Sequence, residues 1–253
     1  MKRSSRQRLA FCFLLLVSVP VCILAQSQAE KRSKPQSWPA AFEAWLSKVT
    51  GINPSVYRNL ARNRGVTQRP TGTTLVKRDL ATGVDQILWQ CGNCWSPILF
   101  GGDEIAVLRE DGVWVVSVQT KAARQAIKAG GLREAISSIK DQPEWILLVR
   151  GEQAGNCEYT TWRANLRSGA LERFGEAETT CLLEFDFRSL VKPDQVLGDF
   201  VLTTSEDDDP PLHVTKRRTS TSGGESVVIL PSGKAAFDPI WLGDSTIAYI
   251  MRP

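Results

Sequence analysis

Gly102-Asp103-Glu104-Ile105-Ala106-Val107-Leu108 is a turn with an acid followed by a short apolar strand, and the chain repeats it. Trp145-Ile146-Leu147-Leu148-Val149 follows Asp141-Gln142-Pro143, Phe200-Val201-Leu202-Thr203 follows Gly198-Asp199, and Ile247-Ala248-Tyr249-Ile250 follows Gly243-Asp244. The starts at 105, 146, 200 and 247 are 41, 54 and 47 residues apart. Further short strands lie between these markers. Val113 to Val118 follows the Glu110-Asp111-Gly112 turn. Cys157 to Leu166 and Ala170 to Phe174 flank Arg167-Ser168-Gly169, and His213 to Arg217 precedes Ser226 to Leu230. A period of this size built from four short strands is that of a propeller blade.

Upstream, Thr73 to Leu80, the Ala81-Thr82-Gly83 turn and Asp85 to Trp89 read as a hairpin with no blade of its own. The last unit, Ala235 to Arg252, supplies only two strands. Joined, the two pairs make one complete blade. The expectation is an all-β fold, a small β-propeller of four blades over residues 73–253, with Leu75 and Ile247 in one sheet. Bare sheet edges are what such closure avoids. A dimer completing a larger ring is the rival. Lys121 to Ile139 is rich in helix formers but split by Gly130-Gly131, and is read as strand and loop inside a blade.

Trp95-Ser96-Pro97, then Gly102-Asp103-Glu104-Ile105-Ala106-Val107-Leu108, then Asp111-Gly112-Val113-Trp114-Val115-Val116 resemble a WD40-like repeat of the TolB-propeller type. Phe237-Asp238-Pro239-Ile240-Trp241 with Gly243-Asp244-Ser245-Thr246-Ile247-Ala248-Tyr249 repeats its first half, and Asp79-Leu80-Ala81-Thr82-Gly83 resembles its closing half. The two middle units lack the Ser-Pro. The resemblance implies the propeller architecture and exported binding or scaffolding propellers, or propellers attached to a serine peptidase. No peptidase domain is read in this chain.

The N-terminus has the layout of a secretory signal. Lys2, Arg3, Arg6 and Arg8 are followed by an apolar run of 14 residues, Phe11 to Leu24, and by Ser27-Gln28-Ala29. The run is short of the roughly 20 residues needed to span hydrocarbon, so residues 1–29 are expected to be cleaved. Lipidation at Cys22 is the alternative. Residues 30–72 are expected to be a polar leader with a short helix, because Phe42, Trp45, Leu46 and Val49 recur at helical spacing and Gly51 ends the run. Without the signal, the 31 basic residues of the 253-residue chain fall to 27, against 27 acids. That neutrality removes electrostatic support for nucleic acid or an anionic membrane as partner. No later segment is apolar enough to span a membrane.

Cys91, Cys94, Cys157 and Cys181 remain in the mature chain. An even number in an exported protein reads as two disulfides. Three connectivities exist, and 91–94 with 157–181 is the economical one. Cys91-Gly92-Asn93-Cys94 also resembles the CxxC of thiol–disulfide oxidoreductases, but the strand-like Ile98-Leu99-Phe100 stands where a helix is needed. Zinc would need two more ligands than a CxxC supplies. His213, the only histidine, lies in a β segment without a nucleophile elbow. Glu206-Asp207-Asp208-Asp209 lacks the Gly of a calcium loop. Of eight tryptophans, Trp89, Trp95, Trp114 and Trp241 are the candidate contact anchors.

The expected function is therefore that of an exported, non-enzymatic binding or scaffolding protein, with no cofactor, no catalytic residue and no bound metal. Its expected partner is another exported protein or a cell-envelope component. The alternative is a thiol–disulfide oxidoreductase using Cys91 and Cys94.

Overall fold

The computed structural model describes residues 40–51, 71–154, 157–175, 181–182, 193–204, 214–218, 226–230 and 235–252. The signal segment, the turn read at Val56 to Leu60, Glu206 to Asp209 and His213 lie outside them. Helix α1 spans Ala40–Thr50. Glu43 in its first turn and Lys48 in its last suit the helix dipole. Gly51 ends it at φ +76°, with its N–H donating to Ser47 O at 2.8 Å, a conformation that costs glycine little. Phe42 and Leu46 are fully buried against Ile136, Ile139, Leu147 and Val149. Lys140 N donates to Val49 O at 2.9 Å, which pins the helix end.

The other described elements are strands, apart from a 3-10 turn at Pro193–Gln195. The strands are β1 (Thr73–Asp79), β2 (Asp85–Gly92), β3 (Cys94–Phe100), β4 (Glu104–Arg109), β5 (Gly112–Ser117) and β6 (Ala123–Lys128). Next come β7 (Leu132–Ile139), β8 (Gln142–Ala154), β9 (Cys157–Asn165), β10 (Leu171–Arg173) and β11 (Cys181–Leu182). The remainder are β12 (Val196–Leu197), β13 (Phe200–Thr204), β14 (Val214–Arg218), β15 (Ser226–Leu230), β16 (Ala235–Gly243) and β17 (Thr246–Arg252). Lys121 to Ile139 is thus strand and loop despite its helix-forming composition. Gly112 starts β5 at φ +140°, and a Cβ there would collide with Ile127 O, so this turn requires glycine.

The strands form four antiparallel sheets: β3-β4-β5-β6, β7-β8-β9-β10 with β11 also on β9, β12-β13-β14-β15, and β16-β17-β1-β2. The repeated marker strands β4, β8, β13 and β17 are each second in their sheet. The last sheet joins the first two and the last two strands of the described chain. β1 pairs antiparallel with β17, with Leu75 opposite Ile250 and Arg78 opposite Ile247. The hairpin from β1 to β2 is closed by Asp79, whose carboxylate accepts the N–H groups of Ala81 and Thr82 at 2.9 and 2.8 Å. These bonds, from Thr82 above all, hold its pKa below the usual value.

Shared clusters of buried side chains set the neighbours. Leu75, Ile240 and Ile250 of the joined sheet pack with Ile105, Val107 and Val116 of β4 and β5. On its other face Val76, Trp241, Ile247 and Tyr249 meet Leu202 and Val214 of β13 and β14. The opposite face of the β3–β6 sheet packs through Ile98, Leu108 and Val115 on Leu132, Ile146 and Leu148. The far face of the β7–β10 sheet is the one α1 covers.

Candidate functional site

The sharpest sequence motif sits at a corner between sheets. β2 ends at Gly92, β3 begins at Cys94, and Cys91 and Cys94 are joined by a disulfide across Cα atoms 5.6 Å apart. Both cysteines are buried, at 4% and 0% exposure. Thr73, the first residue of β1, completes the corner. Cys94 N donates to its Oγ1 at 2.7 Å, and that oxygen lies 3.5 and 3.6 Å from the two sulfurs. A catalytic CxxC needs a reachable thiolate stabilised by a helix N-terminus. These sulfurs are enclosed between strands, so the arrangement does not suit exchange with a protein substrate, and a bonded pair offers zinc no thiolate.

The tryptophans divide into two kinds. Trp95 is 7% and Trp241 4% exposed, and each indole N–H donates inward at 3.0 Å, to Arg133 O and Gln195 O respectively. They are intersheet packing, which corrects their reading as contact anchors. Trp89 of β2 and Trp114 of β5 remain partly exposed, with ring centroids 5.2 Å apart. Arg109 places its guanidinium 5.6 Å from the Trp89 centroid and 5.0 Å from that of Trp114, a cation–π stack. Asp111 accepts the Trp114 indole N–H at 3.0 Å and lies 3.5 Å from Arg109 Nε. The result is a tilted aromatic pair capped by a guanidinium, at the seam between two sheets.

A second constellation is absent from the sequence reading. Three acids from three sheets converge on β3. Asp238 of β16 accepts Ser96 N at 3.0 Å, Asp194 beside β12 accepts Leu99 N at 2.6 Å, and Glu134 of β7 accepts the Ser96 hydroxyl at 2.5 Å. Ser96 is buried at φ +55°, and Asp238 sits at φ +46°. Both precede a proline at a register shift in their strands, between Trp95 and Ile98 and between Phe237 and Ile240. A polar residue before proline inside an apolar strand was the available signal. Asp238 satisfies the N–H of Ser96, which the bulge takes out of the ladder, while Asp194 satisfies that of Leu99 and Glu134 the Ser96 hydroxyl. Among the described residues, no group of three or more His, Cys, Asp or Glu is placed to hold a metal ion.

Cys181 pairs opposite Thr160, three positions along β9 from Cys157. The side chains of Cys157 and Cys181, and with them the 157–181 pairing, lie outside the described residues. Tyr249 of β17 has its hydroxyl pKa pushed up by burial and then by Asp85, which also accepts Arg78 Nη1 at 2.9 Å. No helix among the described residues is long and apolar enough to cross a membrane.

No family model matches the chain, and no curated protein matches it. Among solved structures it is similar to a putative TolB from Agrobacterium tumefaciens, at 10% identity and TM-score 0.31, over 67% of this chain and 73% of that one. It is also similar to an oligogalacturonate lyase in complex with manganese, at 10% identity and TM-score 0.33, over 70% of this chain and 53% of the lyase. A Pyrococcus horikoshii acylaminoacyl peptidase matches at 15% identity and TM-score 0.29, over 63% of this chain and 29% of the peptidase. Likenesses of this size assign no family. They do correct one expectation: the structures matched include a lyase and a peptidase, so the reading of this chain as non-enzymatic does not stand.

Proposed function

We propose that the four sheets are the blades of a small β-propeller, closed by the sheet that β16 and β17 share with β1 and β2, and that the protein acts outside the cytoplasm as a binding or scaffolding module. In this reading residues 1–29 direct export, residues 30–72 lead into the domain, and residues 73–253 form it. The partner is another exported protein or a cell-envelope component. The observation that carries the binding role is the Trp89–Arg109–Trp114 stack. Trp and Arg dominate the energetics of protein interfaces, and a rigid stack loses little conformational entropy on binding. The Cys91–Cys94 bridge supports an oxidising compartment.

Capture from the exported fraction tests the proposal. The intact chain is expected to retain a partner that Trp89→Ala with Trp114→Ala loses, with both proteins folded and both starting near residue 30. Equal capture by the two, or a chain that keeps its first residues in the cytoplasm, contradicts it.

A further inference from the structure

Only Asn93 separates β2 from β3. Gly92 takes φ +76°, and Asn93 N donates to Cys91 O at 2.9 Å, so the chain turns sharply over the disulfide. Gly92 and Asn93 are exposed while the sulfurs beneath them are not. A small dithiol therefore needs only a local opening of this two-residue turn to reach the bridge, which a folded protein substrate does not achieve.

The bridge also holds more than its own turn. β3 leaves the corner to lie across β16, β17 and β1. Cys94 is tied through its N–H to the hydroxyl of Thr73, 1% exposed, and Thr73 starts the strand that carries β17. Thr73 is in turn opposite Gly92 in the pairing of β1 with β2. Cys91, Cys94 and Thr73 thus fix the point at which the joined sheet meets the next one, and both ends of the described strand set depend on that point.

We propose that the Cys91–Cys94 bridge is a redox latch on this seam, and that its reduction loosens the pairing of β1 with β17. A small dithiol supplies two electrons and two protons. The Cys91–Cys94 bond breaks, two thiols form, and the dithiol is oxidised to its own disulfide. In the bridged structure Cys91 Sγ lies 3.3 Å from Thr73 O, a carbonyl to which only the reduced thiol has a hydrogen to donate. The freed edges of β1 and β17 are the kind of surface that recruits another strand. The proposal stands on the β1–β17 pairing and not on the binding role of the Trp89–Trp114 face.

The test is hydrogen exchange on the full chain during titration with dithiothreitol, with alkylation reporting the state of each cysteine. As Cys91 and Cys94 become alkylatable, amides of 74–79 and 246–252 are expected to lose about tenfold in protection, while those of 145–150 and 160–164 hold. Cys91→Ser with Cys94→Ser should show the same pattern without reductant and melt about 5 °C lower. The titration of the unaltered chain decides the matter if that variant does not fold. A pair that stays oxidised where an exposed disulfide is reduced overturns the proposal. So does reduction that leaves β1 and β17 protected, or that loosens all sheets equally.

Discussion

The sheet of β7 to β10 and the sheet of β16, β17, β1 and β2 contain similar strands assembled in opposite ways. The first is built by chain neighbours: each strand turns back on the one before it, from Leu132 to Arg173. The second is built from the two ends, and Leu75 meets Ile250 across 175 positions. Turn chemistry alone specifies the first kind of pairing. The second depends on two unfinished hairpins finding each other, at the cost of closing a very long loop. Where local turns cannot supply specificity, other devices appear. The joined sheet has the disulfide corner, the Thr73 bond, and the Asp238 tether to Ser96. The local sheet has a helix laid on its face instead.

The comparison can be broken most severely by removing residues 246–253. If the domain depends on the joined sheet, this deletion abolishes the cooperative thermal transition altogether, and circular dichroism during heating would show it. A deleted chain that melts like the intact one places the stability elsewhere. Next in size are Ile247→Ala and Leu147→Ala, both at fully buried positions. Each should cost about 3 kcal/mol in urea unfolding. Only Ile247→Ala should also raise the exchange rate of β1 amides, because Leu147 packs against α1 and not against the joined sheet.

Asp238→Ala tests the tether. It leaves the N–H of buried Ser96 without its acceptor and places alanine at φ +46°, with an expected cost of about 2 kcal/mol. Asp238→Asn keeps an acceptor and tolerates that conformation, so most of the loss should be absent. The smallest effect concerns pH. The folded pKa of Tyr249 lies above its unfolded value near 10. Its contribution is present below that pH and is lost as the pH rises beyond it, because the unfolded chain releases the proton first. Tyr249→Phe should flatten the alkaline part of the stability curve relative to the intact protein. An unchanged slope would show that other groups set it.

Much of this architecture is legible in the sequence because it is written locally. Gly-Asp turns mark β4, β13 and β17, and the spacing of Phe42, Trp45, Leu46 and Val49 marks α1. Phe42 and Leu46 declare an apolar face, but nothing in their spacing says that it meets Ile136 and Leu147. Trp89 and Trp95 stand on either side of the same CxxC. One stays on a surface because β2 is the last strand of its sheet, and the other goes inside because it packs with Leu132 and Ile146 of the neighbouring sheet. The acids that meet β3 are hidden from the sequence by their distance along the chain. Glu134, Asp194 and Asp238 are far apart in the chain and become neighbours only through the sheet order. Likewise, the count of cysteines suggests pairs, but of the four only Cys91 and Cys94 have described side chains, and they are bridged.

The pairing of the chain ends is tested most directly by Thr74→Cys with Met251→Cys, partner positions in the register of β1 and β17. After mild oxidation, peptide mapping should find residues 74 and 251 bridged in nearly all molecules, and the bridged protein should melt above the unaltered one. Absence of that bridge, or one that forms no faster than between Thr74→Cys and a cysteine placed at Ala154, would contradict a sheet shared by the two ends.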